Sequence, residues 1–191
     1  MTATNRVYTG FPIVVTEPAD VDTTEYELLD GALAGELVAS KVAVYSSASQ
    51  LALARQIQAD GASVALTANM SGSLCVFDKT DGALFTLPAA AAGLFFDFAV
   101  VASLASGVYR IACTTGDFML GSLLMDDGDS GLTTTAAAFN GSTHLALEMN
   151  ATTAGGYAGA FIRLTAISAS QWVIEGHILH TGNVASPAKT T

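Results

Sequence analysis

From Asp60 onward the chain reads as short bursts of alternation between apolar and polar positions. Residues 63–67, 74–77, 84–87, 95–101, 107–113, 118–125, 143–149, 161–167 and 171–178 are each rich in β-branched, aromatic or leucine side chains at a period near two. Turn signals separate them: Asp60-Gly61, Ser71-Gly72, Asp78 to Gly82, and Asp126-Asp127-Gly128. The pair 74–77 and 84–87, flanking a five-residue turn that ends in Gly82, predicts a hairpin. Short strands recurring at such intervals predict an all-β domain, an antiparallel β-sandwich or β-barrel, over residues 61–187. Residues 188–191 are left as a short tail.

The first sixty residues follow a different pattern. Residues 7–15 are apolar and extended, with Pro12 barring them from a central strand. Residues 17–30 hold six acids and no base, the mark of a solvated face. Residues 37–45 predict a strand, and residues 48–58 fit either a strand or a short helix. Residues 1–60 therefore read as an extended N-terminal arm and entry segment. Its apolar positions Val7, Tyr8, Phe11, Ile13, Val14 and Val15 are the candidate contacts with a neighbouring subunit.

Composition removes several classes. Of 191 residues, 51% are apolar and 13% charged, and 17 acids against 7 bases give a formal net charge of −10. Seven bases supply no face for displacing counterions from a polyanion, so no nucleic-acid partner is expected. A mean hydropathy of +0.47 raises the membrane question. The apolar run 89–96 ends at Asp97, far short of the ~20 residues of a spanning helix. No membrane partner is expected, and no secretory leader, since no apolar core follows a basic stretch at the N-terminus. A solvated surface carries roughly 25–35% charged residues. This chain falls well below that, and its small neutral side chains suit packing between subunits.

No pattern of catalytic residues emerges. Cys75 and Cys113 lack a Cys or His at zinc spacing and read as buried free thiols. His177 and His180, three apart, fall on opposite faces of a strand and cannot chelate one ion; His144 stands alone. Asp126 to Asp129 begins like a calcium loop, yet the twelfth position is Ala138 counted from Asp127 and Asn140 counted from Asp129. An acidic surface turn is the reading, with a looser calcium site between subunits the other one. There is no nucleophile elbow, phosphate loop or dinucleotide fingerprint. The expectation is a protein that is not an enzyme, with no cofactor and no metal site.

Two blocks resemble a known family. Residues 64–78 with 82–98, where Thr86-Leu87-Pro88 leads through a small-residue turn to the aromatic strand at Phe95, are similar to a block of tailed-bacteriophage head proteins. The run from Ser170 through Trp172 to His177, with Thr181-Gly182, resembles their Trp-containing last strand. The resemblance covers residues 60–187 and departs at 160–164. It implies a capsid decoration (cement) protein: a homotrimer on the outer surface of the phage head, assembled in the host cytoplasm, with the major capsid protein as partner. Two rivals stand beside it. One is a tail or head-fibre adhesin contacting host glycans, for which Tyr157 in a Gly-rich turn is the candidate contact. The other is a polysaccharide depolymerase, which needs carboxylates clustered around a groove.

Overall fold

The computed structural model describes residues 55–128 and 134–191. The candidate arm contacts from Val7 to Val15, the acidic run 17–30, the strand at 37–45 and most of 48–58 lie outside the described residues. Within them the chain is β throughout, with one 3-10 turn at Ala68–Met70 and no α-helix. The strands are β1 (Ile57–Ala59), β2 (Val64–Ala65), β3 (Leu74–Phe77), β4 (Ala83–Thr86), β5 (Phe95–Val100), β6 (Tyr109–Ala112), β7 (Phe118–Asp127), β8 (Thr134–Asn140), β9 (Ala146–Met149), β10 (Phe161–Ala166), β11 (Gln171–His180) and β12 (Ala188–Lys189). They form a seven-stranded sheet, β1-β3-β5-β10-β11-β7-β8, and a five-stranded sheet, β12-β9-β6-β4-β2. Pairing thus begins before residue 61, at Ile57, and reaches past residue 187 to Lys189, where β12 joins β9.

The all-β class holds, but the pairing is mixed rather than antiparallel. The first six strands alternate between the sheets, so β1, β3 and β5 run parallel in one and β2, β4 and β6 run parallel in the other. The hairpin expected of β3 and β4 is therefore absent. The loop after Phe77 carries the chain from one sheet to the other, and Phe77 meets Phe85 edge-on across the core at 5.1 Å. Alternation says which residues face inward; it does not say which strand lies alongside. Here the crossing loop is held by its own polar contacts. Asp60 Oδ2 accepts the N–H groups of Asp78 (3.0 Å) and Lys79 (3.1 Å), and the Tyr109 hydroxyl donates to the Lys79 carbonyl.

Alternating inward residues of both sheets make one core. Phe77, Phe96, Phe98 and Trp172 come from the seven-stranded sheet and Phe85 and Tyr109 from the other, all fully buried. Their rings pack at 4.6 to 6.3 Å between centroids, Phe77 on Tyr109 being the closest pair and Phe77 on Phe98 the widest. Each such ring removes a large apolar area from water, and the pairs add an edge-to-face or offset contact beyond it.

Candidate functional site on the outer face of the seven-stranded sheet

Because side chains alternate, each inward aromatic of β5 leaves its neighbour pointing out. Phe95, Asp97 and Ala99 lie on the outer face of the sheet, and register carries that face across the neighbouring strands. Asp97 stands between Leu74 of β3 and Arg163 of β10, and Arg163 stands opposite Glu175 of β11. The next row runs Val76, Ala99, Phe161, His177, Leu124 and Ala136.

Asp97 is the centre of this face. Its carboxylate is fully buried although it sits on the outer side, because two arginines roof it. Arg163 forms a two-pronged pair, Nε to Oδ1 at 2.6 Å and Nη2 to Oδ2 at 2.8 Å. Arg55 approaches Oδ2 with Nη2 at 2.6 Å and also donates to the carbonyls of Gly72 and Ser73. Burial pushes the Asp97 carboxyl upward, but the hydrogen bonds from Arg163 and Arg55 outweigh it and hold the group below the usual carboxylate range. The same bond to Asp97 raises Arg163. Asp97 is thus ionised with both oxygens occupied, which suits a fixed anchor and not a proton carrier.

Around that anchor lies an apolar platform. The Arg163 guanidinium sits over the Phe95 ring at 5.8 Å, and Phe161 stands two residues away on the same strand. Phe95 and Phe161 are each 38% exposed, and Leu124 extends the surface toward the sheet edge at 52%. Phe161, Arg163, Glu175 and Gly176 line a shallow depression. Nε2 of His177 is 3.0 Å from the Gly159 carbonyl oxygen.

The other candidates fall elsewhere. His177 and His180 do lie on opposite faces, and His180 is fully buried with neither ring nitrogen hydrogen-bonded among the described residues. His144 Nδ1 accepts from the Asn140 N–H. Among the described residues no three His, Cys, Asp or Glu side chains are grouped to hold a metal ion. Cys75 is buried and Cys113 half-buried, both free, and burial pushes each thiol up to about 12. Tyr157 is half-buried with its hydroxyl 3.1 Å from Thr181 Oγ1, so it is not an open loop aromatic. Sequence reasoning missed the cluster of Asp97, Arg163 and Arg55. The signal was there: lone charges of opposite sign inside the apolar strands Phe96-Asp97-Phe98 and Ile162-Arg163-Leu164, in a chain with only seven bases. No helix among the described residues is long and apolar enough to cross a membrane.

No protein-family model, no curated protein and no solved structure matches the chain.

Proposed function

We propose that the chain is a structural virion protein, a decoration protein added as trimers to the outer surface of a phage head. It stabilises contacts between major capsid subunits and catalyses nothing. One observation carries the reading. The two blocks that resemble head proteins, from Val64 to Phe98 and from Ser170 to Gly182, pack against one another through Phe96 and Trp172 at 6.0 Å. A likeness spread over two distant stretches gains weight when both build one core. The apolar outer face around Phe95 and Phe161 also suits a protein that works by covering others.

Residues 1–30 would then lie across neighbouring capsid subunits, adding strand pairing at exposed sheet edges. Three arms held by one trimer bind at high effective concentration, so weak contacts sum to a clamp. Such a clamp spans subunit boundaries and opposes their separation under internal pressure.

Particle stoichiometry tests the proposal. Quantified against the major capsid protein in purified virions, a tiling clamp gives on the order of hundreds of copies per particle. A count of about a dozen or fewer removes the decoration reading and moves the chain to the tail or a vertex, where a host-glycan adhesin leads. Deleting residues 1–30 should abolish capsid binding while leaving the trimer; retained binding would sink the arm mechanism.

A further inference from the structure

Among the described residues the two sheets end in four edge strands, and three of them are blunted. β1 has three residues, β2 has two, and β12 has two and carries Lys189. Short edge strands and edge lysines are the usual protection against pairing with another chain. β8 has neither. It is seven residues long, Thr134-Thr135-Ala136-Ala137-Ala138-Phe139-Asn140, with no charge, no proline and an unbroken register against β7.

The ladder shows which of its backbone groups are free. Gly141 N–H donates to the Met119 carbonyl, while the Asn140 N–H turns away to His144 Nδ1 at 3.2 Å. In an antiparallel pair the bonded residues alternate. Hence Thr135, Ala137 and Phe139 bond to β7, and the N–H and C=O groups of Thr134, Ala136 and Ala138 point out from the edge. Among the described residues none of these outward groups has a partner.

We propose that β8 pairs antiparallel with β8 of a second copy of this chain, about a two-fold axis at Ala136. Ala136 then faces its own counterpart and Thr134 faces Ala138, each facing pair exchanging two hydrogen bonds. Two features select a second copy in this orientation. Residues 134–147 contain no Asp, Glu, Lys or Arg, so two chains of net charge −10 meet here along a stretch free of acidic repulsion. The ends are also complementary. Thr134 Oγ1 donates to Asp126 Oδ1 at one end of β8, and His144 caps the other. Antiparallel pairing brings the Asp126 end of one copy toward the His144 end of its partner, whereas parallel pairing sets Asp126 against Asp126. Ala136 and Ala138 are small enough to let the sheets continue without a clash. The contact does not rest on the decoration reading. On a shell tiled by trimers it is the kind of contact that joins one trimer to the next.

Sedimentation of the full chain over a range of concentrations tests it, comparing wild type with Ala138→Pro. Proline at 138 removes an outward N–H and no bond to β7. It deletes two of the hydrogen bonds between copies and raises the dissociation constant by about 10–100-fold. Wild type is expected at least twice as heavy as the variant at concentrations where the variant has dissociated. A second variant guards against misfolding of the first. Ala136→Cys on the axis brings its Cα about 5.5 Å from its counterpart, within disulfide reach, and oxidation should give a cross-linked dimer. Ala59→Cys, on the β1 edge, should not. Equal masses for wild type and a folded Ala138→Pro overturn the proposal, as does Ala136→Cys cross-linking no more than Ala59→Cys. Either result stands apart from the virion count, which tests the decoration reading alone.

Discussion

Asp97 carries a full charge at a position its neighbours would reserve for a hydrophobe, and two arginines make that tolerable. Removing one side of a buried ion pair costs roughly 3–5 kcal/mol. Here the guanidinium partners are 38% and 44% exposed, so Asp97→Asn should cost less, about 2–3 kcal/mol in urea unfolding. The pH dependence has a definite sign. The folded carboxyl lies below its ordinary value, so its contribution is full above the unfolded value of ~3.9 and is lost as pH falls through the lower folded one. The gap between wild type and Asp97→Asn should therefore hold constant from neutral pH to about 4 and close on further acidification. Asp60 runs the other way. Burial raises it and outweighs the N–H groups of Lys79 and Asp78, which favour the charged form. It stabilises the fold when protonated and loses that contribution as pH rises through its folded value, so Asp60→Asn should raise stability at neutral pH. A difference that persists well below pH ~4 would exclude this cause. The lone charges Asp97 and Arg163 were visible in the strand pattern. Their pairing was not, because 66 positions separate them and only register brings them together.

At the scale of elements, two glycines let neighbouring strands of the seven-stranded sheet approach closely. Gly176 has φ +134, and a Cβ there would collide with the Phe161 carbonyl oxygen, directly beneath the depression on the outer face. Gly121 on β7 has φ +130, and its Cβ would strike the Ile174 carbonyl. Gly176→Ala is accordingly expected to lose about 2–4 kcal/mol by separating β10 from β11, read in the same urea titration. An unchanged midpoint would mean that the two strands are not held at this distance. Most strands were legible from alternation, because β-branched and aromatic residues mark them. β8 was not. Ala136-Ala137-Ala138 has low strand propensity and no period, and it is a strand only because β7 offers it a ladder. β3 and β4 erred in the opposite sense: both strands are real, and the hairpin between them is not.

Across all the described residues the two sheets share one core, so neither should unfold alone. Trp172 reports the seven-stranded sheet, and Cys113, which follows β6, reports the five-stranded one. With both thiols pushed up to about 12 by burial, native protein should resist a thiol reagent at pH 8. In a Cys75→Ala variant, where Cys113 is the remaining thiol, thiol exposure and Trp172 emission should share one urea midpoint. Separate midpoints would mean that the sheets are independent units.

The alternation, the turn residues and the scarcity of charge settled by themselves that this chain is β and which side chains face inward, because a pleated strand has a period of two whatever lies beside it. They also placed His177 and His180 on opposite faces of one strand, as the structure has them. Which strand lies beside which was decided only in three dimensions. Parallel winding of β1 to β6 between two sheets, the meeting of Asp97 with Arg163 and Arg55, and the open edge at β8 all depend on contacts between residues remote along the chain. Local propensity does not encode such contacts; they come with the shared core around Phe77, Phe98 and Trp172, where side chains from remote strands are buried together.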